Sequence, residues 1–153
     1  YGFDVDPQAA IERMTNGEIE TLVLHEEGEL AAGRVLGSDW PEKLQGFSGK
    51  RAELLARAVR DNLADSLVTL PGLLQRGAED SLHFWFSTFD GLRRELFPSL
   101  VGAYIKVGAG DTAILLDAVA AGRAHFAALG LRLLDMDESA IEALSHETAV
   151  IAL

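Results

Sequence analysis

Apolar and polar positions follow a helical period over most of the chain. Leu55, Val59 and Leu63 recur at every fourth position, backed by Ala52 and Ala56, and predict a helix over 50–66 with Ser48 as its cap. Leu115, Val119, Gly122, Phe126 and Leu129 are spaced 4, 3, 4 and 3 apart and predict the clearest helix, opened by Asp111 and closed at Gly130. Leu100, Val101, Tyr104 and Ile105 supply the apolar face of a helix that starts at Pro98 and stops at Gly108. Asp6-Pro7 is a helix start, because Asp caps and Pro fits the first helical position. It predicts a short helix over 7–14 that buries Ile11 and Met14.

The remaining segments are less periodic. Thr15 and Glu18 have capping-box spacing and open a second helix over 18–36, in which Ile19, Leu22, Val23 and Leu30 fall near helical spacing. Residues 21–24 suit a short strand equally well. The stretch 37–49 reads as a loop with a helical turn after Pro41, and Pro71-Gly72 reads as a break anchored by Leu70, Leu73 and Leu74. The aromatic run Leu82-His83-Phe84-Trp85-Phe86 is read as a buried helix, and a brief helix follows over 92–97. Asp137 or Ser139 opens a last helix through Ile141 and Leu144. The apolar end, 148–153, suits a strand, a helix end or a tail that docks on a larger assembly. About seven helices with short connections, and no long alternation of period two, predict an all-α fold: one compact helical bundle spanning 1–153.

Composition narrows the classes. With 48% hydrophobic and 24% charged residues the chain is globular rather than disordered. The absence of cysteine excludes disulfides, thiolate metal sites and cysteine nucleophiles. No uninterrupted apolar run reaches the roughly 18 residues of a membrane span, and no basic segment followed by an apolar core opens the chain. The expectation is a cytoplasmic protein without membrane contact, and a chain starting at Tyr1 reads as an excerpt of a longer one.

Charge changes the picture most. The net charge is −11, of which residues 1–42 carry −8, residues 43–106 carry +2 and residues 107–153 carry −5. Such a field repels nucleic acid and acidic lipid and attracts a basic partner. Glu18, Glu20, Glu26, Glu27 and Glu29 are the densest candidates for contact with that partner.

Catalytic patterns are missing. Gly46-Phe47-Ser48-Gly49-Lys50-Arg51 lacks the leading glycine of a phosphate loop, since Leu44 stands there, and Arg51 replaces the Ser or Thr that holds magnesium. Gly108-Ala109-Gly110 lacks the third glycine of a dinucleotide fingerprint. His25, His83, His125 and His146 never share i, i+3 or i+4 spacing, so no metal clip is expected. His83 reads as a half-buried histidine, His125 as a surface one, and His25 as part of a solvated acidic cluster. No Gly-x-Ser-x-Gly elbow occurs, and no cofactor is implied.

The segment 75–126 resembles the small acidic bacterial domain family that includes a DNA-mimic protein. The likeness lies in Tyr104-Ile105-Lys106-Val107-Gly108-Ala109-Gly110-Asp111-Thr112-Ala113-Ile114-Leu115-Leu116, followed by Ala121 to Phe126. The preceding part departs from that family's pattern: its paired glycines are absent, His83 stands in place of Gln, and Ser87 in place of Asn. The resemblance implies an all-α dimer whose acidic surface occupies the DNA-binding face of a basic regulator. A closely related reading is an immunity-like protein that blocks a basic nuclease. Together these observations predict a non-enzymatic acidic interaction protein that binds a basic protein. The rival is an enzyme or small-ligand binder with a pocket around Trp40, His83 and Trp85.

Overall fold

Asp6 caps the first helix through its side chain, which accepts from the Ala9 amide at 3.1 Å, and Pro7 takes the first turn. The computed structural model describes residues 1–107 and 112–153. Among these the elements are α1 (Pro7–Leu36), α2 (Asp39–Gly46), α3 (Lys50–Ala64), a π-turn (Asp65–Thr69), α4 (Leu70–Arg76), α5 (Glu79–Thr88), α6 (Gly91–Leu96), α7 (Pro98–Val107), α8 (Thr112–Asp135), α9 (Glu138–Ser145) and α10 (Thr148–Ile151). The fold is all-α. The expected stop at Gly108, the cap at Asp111 and the Gly108-Ala109-Gly110 loop lie outside the described residues.

The two N-terminal helices expected over 7–14 and 18–36 are one 30-residue helix. Thr15 and Glu18 form no cap, and residues 21–24 are helical. Two glycines within this helix are places of close approach. A Cβ on Gly28 would lie 2.7 Å from the Ala64 carbonyl oxygen, and one on Gly17 would lie 3.0 Å from Ser81 Oγ. The supposed loop over 37–49 contains α2, whose Trp40 is buried.

Pro71 does not break the chain either. It offers no N–H, and its ring pushes away the carbonyl four residues earlier. The helix accommodates both by widening into a π-turn, with the Leu70 amide donating to the Asp65 carbonyl five residues back. The rod from α3 to α4 therefore stays continuous while Asp65, Ser66 and Thr69 turn inward.

This rod is the centre of the molecule, with α1, α8, α9 and α6 packed around α3. Leu55, Val59, Leu63, Trp85, Leu115, Val119 and Phe126 are buried together in one core. Phe97 meets Phe126 edge-on, with centroids 5.0 Å apart. Helix α8 runs past its expected stop to Asp135, because Gly130 is a contact point for Leu36 rather than a terminus. On α7 the inward residues are Leu100 and Ala103, while Ile105 is 72% exposed, against its expected place on the apolar face.

Helix α8 is also long and apolar enough, by length and composition, to cross a membrane, with a mean hydropathy of 1.4 over its best 18-residue window. Here it packs against α3 and α7 through Leu115, Val119, Phe126 and Leu133. The apolar tail docks on its own domain: the Leu153 amide donates to the Leu96 carbonyl and the Ser99 amide to the Leu153 carbonyl, both at 2.9 Å. His125, expected at the surface, is half-buried, with Nε2 2.8 Å from the Ile151 carbonyl oxygen.

Candidate functional site

Helix α1 has two apolar faces. The inner one buries Ala10, Thr21, Leu24, Gly28, Ala32 and Leu36 against the π-turn, α3, α5 and α8. These are mostly small residues, which lets the α1 and α3 backbones approach at Gly28 and Ala64. At about 100° per residue the opposite side carries Ile19, Leu22, Val23 and Leu30. They are 56, 58, 52 and 65% exposed. Ile11, expected to be buried, is 45% exposed. Single exposed leucines are ordinary, but four apolar side chains within three turns of one helix make a patch.

The five candidate glutamates do not form one row. Glu18 is half-buried, and its carboxylate accepts from the Tyr1 hydroxyl. Burial first, and the bond to Glu18 second, push the Tyr1 phenol above its ordinary range. Glu20 pairs with Arg76 at 3.1 Å. Glu29 pairs with Arg60 at 2.8 Å and lies 3.6 Å from His25 Nε2. Glu26 and Glu27 are exposed, and among the described residues no base pairs with either. They flank and interrupt the outer apolar stripe.

Beneath this surface lies a cluster that the sequence does not announce. The π-turn carries Asp65 inward, where its side chain is only 2% exposed. One carboxylate oxygen lies 3.3 Å from His25 Nδ1, and the other accepts from Arg93 of α6. The Arg93 guanidinium sits over Trp85 and Phe89, 5.7 and 5.4 Å from their ring centroids. The bond to Asp65, which outweighs burial, raises the His25 pKa. A histidine held by a buried carboxylate is oriented as a general base would be. Its other nitrogen faces Glu29, however, so the ring links α1 to the rod. His25 and Asp65 are 40 residues apart, and no spacing rule joins them. The one sequence signal is the proline at 71, which forces the turn.

Residues 1–151 match one family model across nearly the whole chain. The chain belongs to the family described as "Family of unknown function (DUF6866) C-terminal domain". This corrects the resemblance to the DNA-mimic family, which rested on about a third of the chain. The apolar repeats and small residues that carried it are what any tightly packed helix pair contains. Part of the likeness, Gly108-Ala109-Gly110, lies outside the described residues. No curated protein and no solved structure matches the chain.

In this DUF6866 C-terminal domain, Trp40, His83 and Trp85 are not gathered round one cavity. Trp40 and Trp85 are core residues, and Trp85 stacks on Phe89 with centroids 4.7 Å apart. His83 is exposed rather than half-buried, with Nδ1 2.6 Å from the Tyr104 hydroxyl. The cleft it lines is walled by Leu73, Leu74, Ala78, Leu82 and Val107, with neither tryptophan among its residues. Among the described residues no group of three or more His, Asp or Glu is placed to hold a metal ion.

Proposed function

We propose that the domain is a non-enzymatic binding module that meets a basic protein partner through the outer face of α1. The observation that carries this reading is the exposed stripe Ile19, Leu22, Val23 and Leu30 set beside the carboxylates of Glu26 and Glu27, which no base pairs among the described residues. The −8 charge of residues 1–42 supplies long-range attraction, which acts mainly on the association rate. The apolar stripe supplies area that leaves water on contact. A DNA-binding regulator or a nuclease is the kind of partner whose basic surface suits this field.

The same arrangement argues for an apolar contact guided by charge, rather than for a row of phosphate mimics. Duplex DNA carries one charge per about 1.7 Å of axis. Glu18, Glu20 and Glu29 are engaged within the domain, which leaves Glu26 and Glu27 as the candidates without a paired base among the described residues.

The test is capture from the native host at low and high salt, followed by binding kinetics with the purified partner. Three forms are compared: the parent, Glu26→Gln with Glu27→Gln, and Leu22→Ser with Leu30→Ser. The glutamine form should associate more slowly at low salt and respond less to salt, and the serine form should dissociate faster. A captured partner whose rates are unmoved by all four changes would place the binding surface elsewhere.

A further inference from the structure

We infer that the outer face of α1 receives an amphipathic helix of the partner, its apolar side on Ile19, Leu22, Val23 and Leu30 and its lysines or arginines over Glu26 and Glu27. This rests on the partner-binding reading above and names the partner's element.

The spacing points to a helix. Ile19, Val23, Glu26 and Leu30 follow one another at intervals of 4, 3 and 4 along α1, the seam that two helices share when packed at a shallow angle. From Ile19 to Leu30 the seam is about 16 Å long at 1.5 Å per residue, a match for three turns of a second helix. The backbone of α1 is bonded within itself, so this face offers no strand edge for an extended peptide. An occupant must satisfy its own backbone, which a helix does.

Charge decides which helix. Glu26 lies within the seam, Glu27 on one side and Glu29 on the other, and Arg34 stands one turn beyond Leu30 at the C-terminal end. A second copy of α1 would bring three carboxylates and one arginine to the same face, so like charges would outnumber their partners. An anionic bilayer would repel these carboxylates for the same reason. Basic residues beside an apolar stripe complement the surface on both counts.

The test uses two fluorescent 16-residue peptides of leucine and lysine. One has its leucines at helical spacing, and the other has the same composition with the leucines scattered around the helix. They are titrated into the parent domain and into three variants whose folding is checked by circular dichroism. These are Leu22→Ser with Leu30→Ser, Glu26→Gln with Glu27→Gln, and Ile105→Ser with Val150→Ser, a control for exposed apolar residues elsewhere. The amphipathic peptide should bind about tenfold or more tightly than the scattered one. The α1 serine pair should lose about tenfold or more of that affinity, and the control pair should lose none.

Failure to bind the amphipathic peptide, equal binding of both peptides, or an unaffected α1 serine variant overturns the helix inference. Where a peptide binds, weakening by the glutamine variant leaves the basic-partner reading standing alone and no weakening sinks both; where neither peptide binds, the helix inference falls and the basic-partner reading is decided by the salt series with the captured partner. Sedimentation and flotation with phosphatidylserine vesicles cover the other occupants. A dimer, or vesicle binding, that the α1 serine pair abolishes would assign the stripe to a second copy or to a membrane and overturn the inference.

Discussion

Glu138 caps a helix that is not its own. Its Oε1 accepts from the Ser48 amide at 2.9 Å and from the Gly49 amide, while the Ser48 hydroxyl reaches the same carboxylate at 3.0 Å. The N-cap amide of α3, that of Gly49, and the amide just before it are thus satisfied from the first turn of α9. Ser48 had the position and chemistry of a cap; it recruits one instead. Gly49 lies between them, where a Cβ would sit 2.8 Å from the Glu138 oxygen.

This cap makes α3 sensitive to acid. The Gly49 amide, chiefly, holds the Glu138 carboxyl below its ordinary range. A carboxyl depressed in the folded state contributes stability above its unfolded value, near 4, and loses it as the pH falls through the lower folded value. Urea midpoints of the parent and of Glu138→Gln should therefore differ at pH 6 and converge in strong acid. A constant gap across the series would mean that the carboxylate is not the capping form.

The His25–Asp65 contact has the opposite sign. Its histidine is raised in the folded state, so its contribution is complete below the unfolded value of about 6.5 and lost as the pH rises through the folded one. Proton NMR should show His25 titrating above 6.5, and Asp65→Asn should lower that value. Asp65→Ala should cost about 3 kcal/mol or more, since it leaves Arg93 against the aromatic rings without its carboxylate.

Two glycines of α1 should respond in opposite directions. Gly28→Ala drives a methyl into the Ala64 carbonyl and should destabilise by about 1–3 kcal/mol. Gly33→Ala meets nothing within 4 Å and should stabilise by about 0.5–1 kcal/mol through reduced backbone freedom. Thermal melts of the pair decide whether α1 is one continuous helix pressed on α3.

Phe126 is fully buried and touches Phe97 edge-on. Phe126→Ala should cost about 3–5 kcal/mol. An unchanged denaturation midpoint would show that α8 does not pack through this stripe.

The elements legible in the residues were those where period and burial coincide. On α3 and α8 every stripe residue named from spacing is buried, because the side that carries the regular spacing is the side that packs. The cap at Asp6 was legible, and Asp137 was one of two candidates beside Ser139, for the same local reason: a short carboxylate beside its own helix start needs no distant partner. Helix α1 was misread because it is apolar on both sides, so period alone cannot say which side is covered. The choice falls to Ala64, whose carbonyl admits Gly28 and no larger residue, and this turns Ile19, Leu22, Val23 and Leu30 outward.

Charge follows the same division. The −8 excess of residues 1–42 is a property of composition and was plain at once. Which glutamates remain free was not, since Glu18, Glu20 and Glu29 lose their independence to Tyr1, Arg76 and Arg60, partners 17 to 56 residues away. Local pattern sets that this chain is helical and how acidic it is, but not where each helix starts and stops. Only the packing of distant backbones settles which helix face is dry and which carboxylates stay unpaired, because both depend on contacts between residues that no periodicity relates.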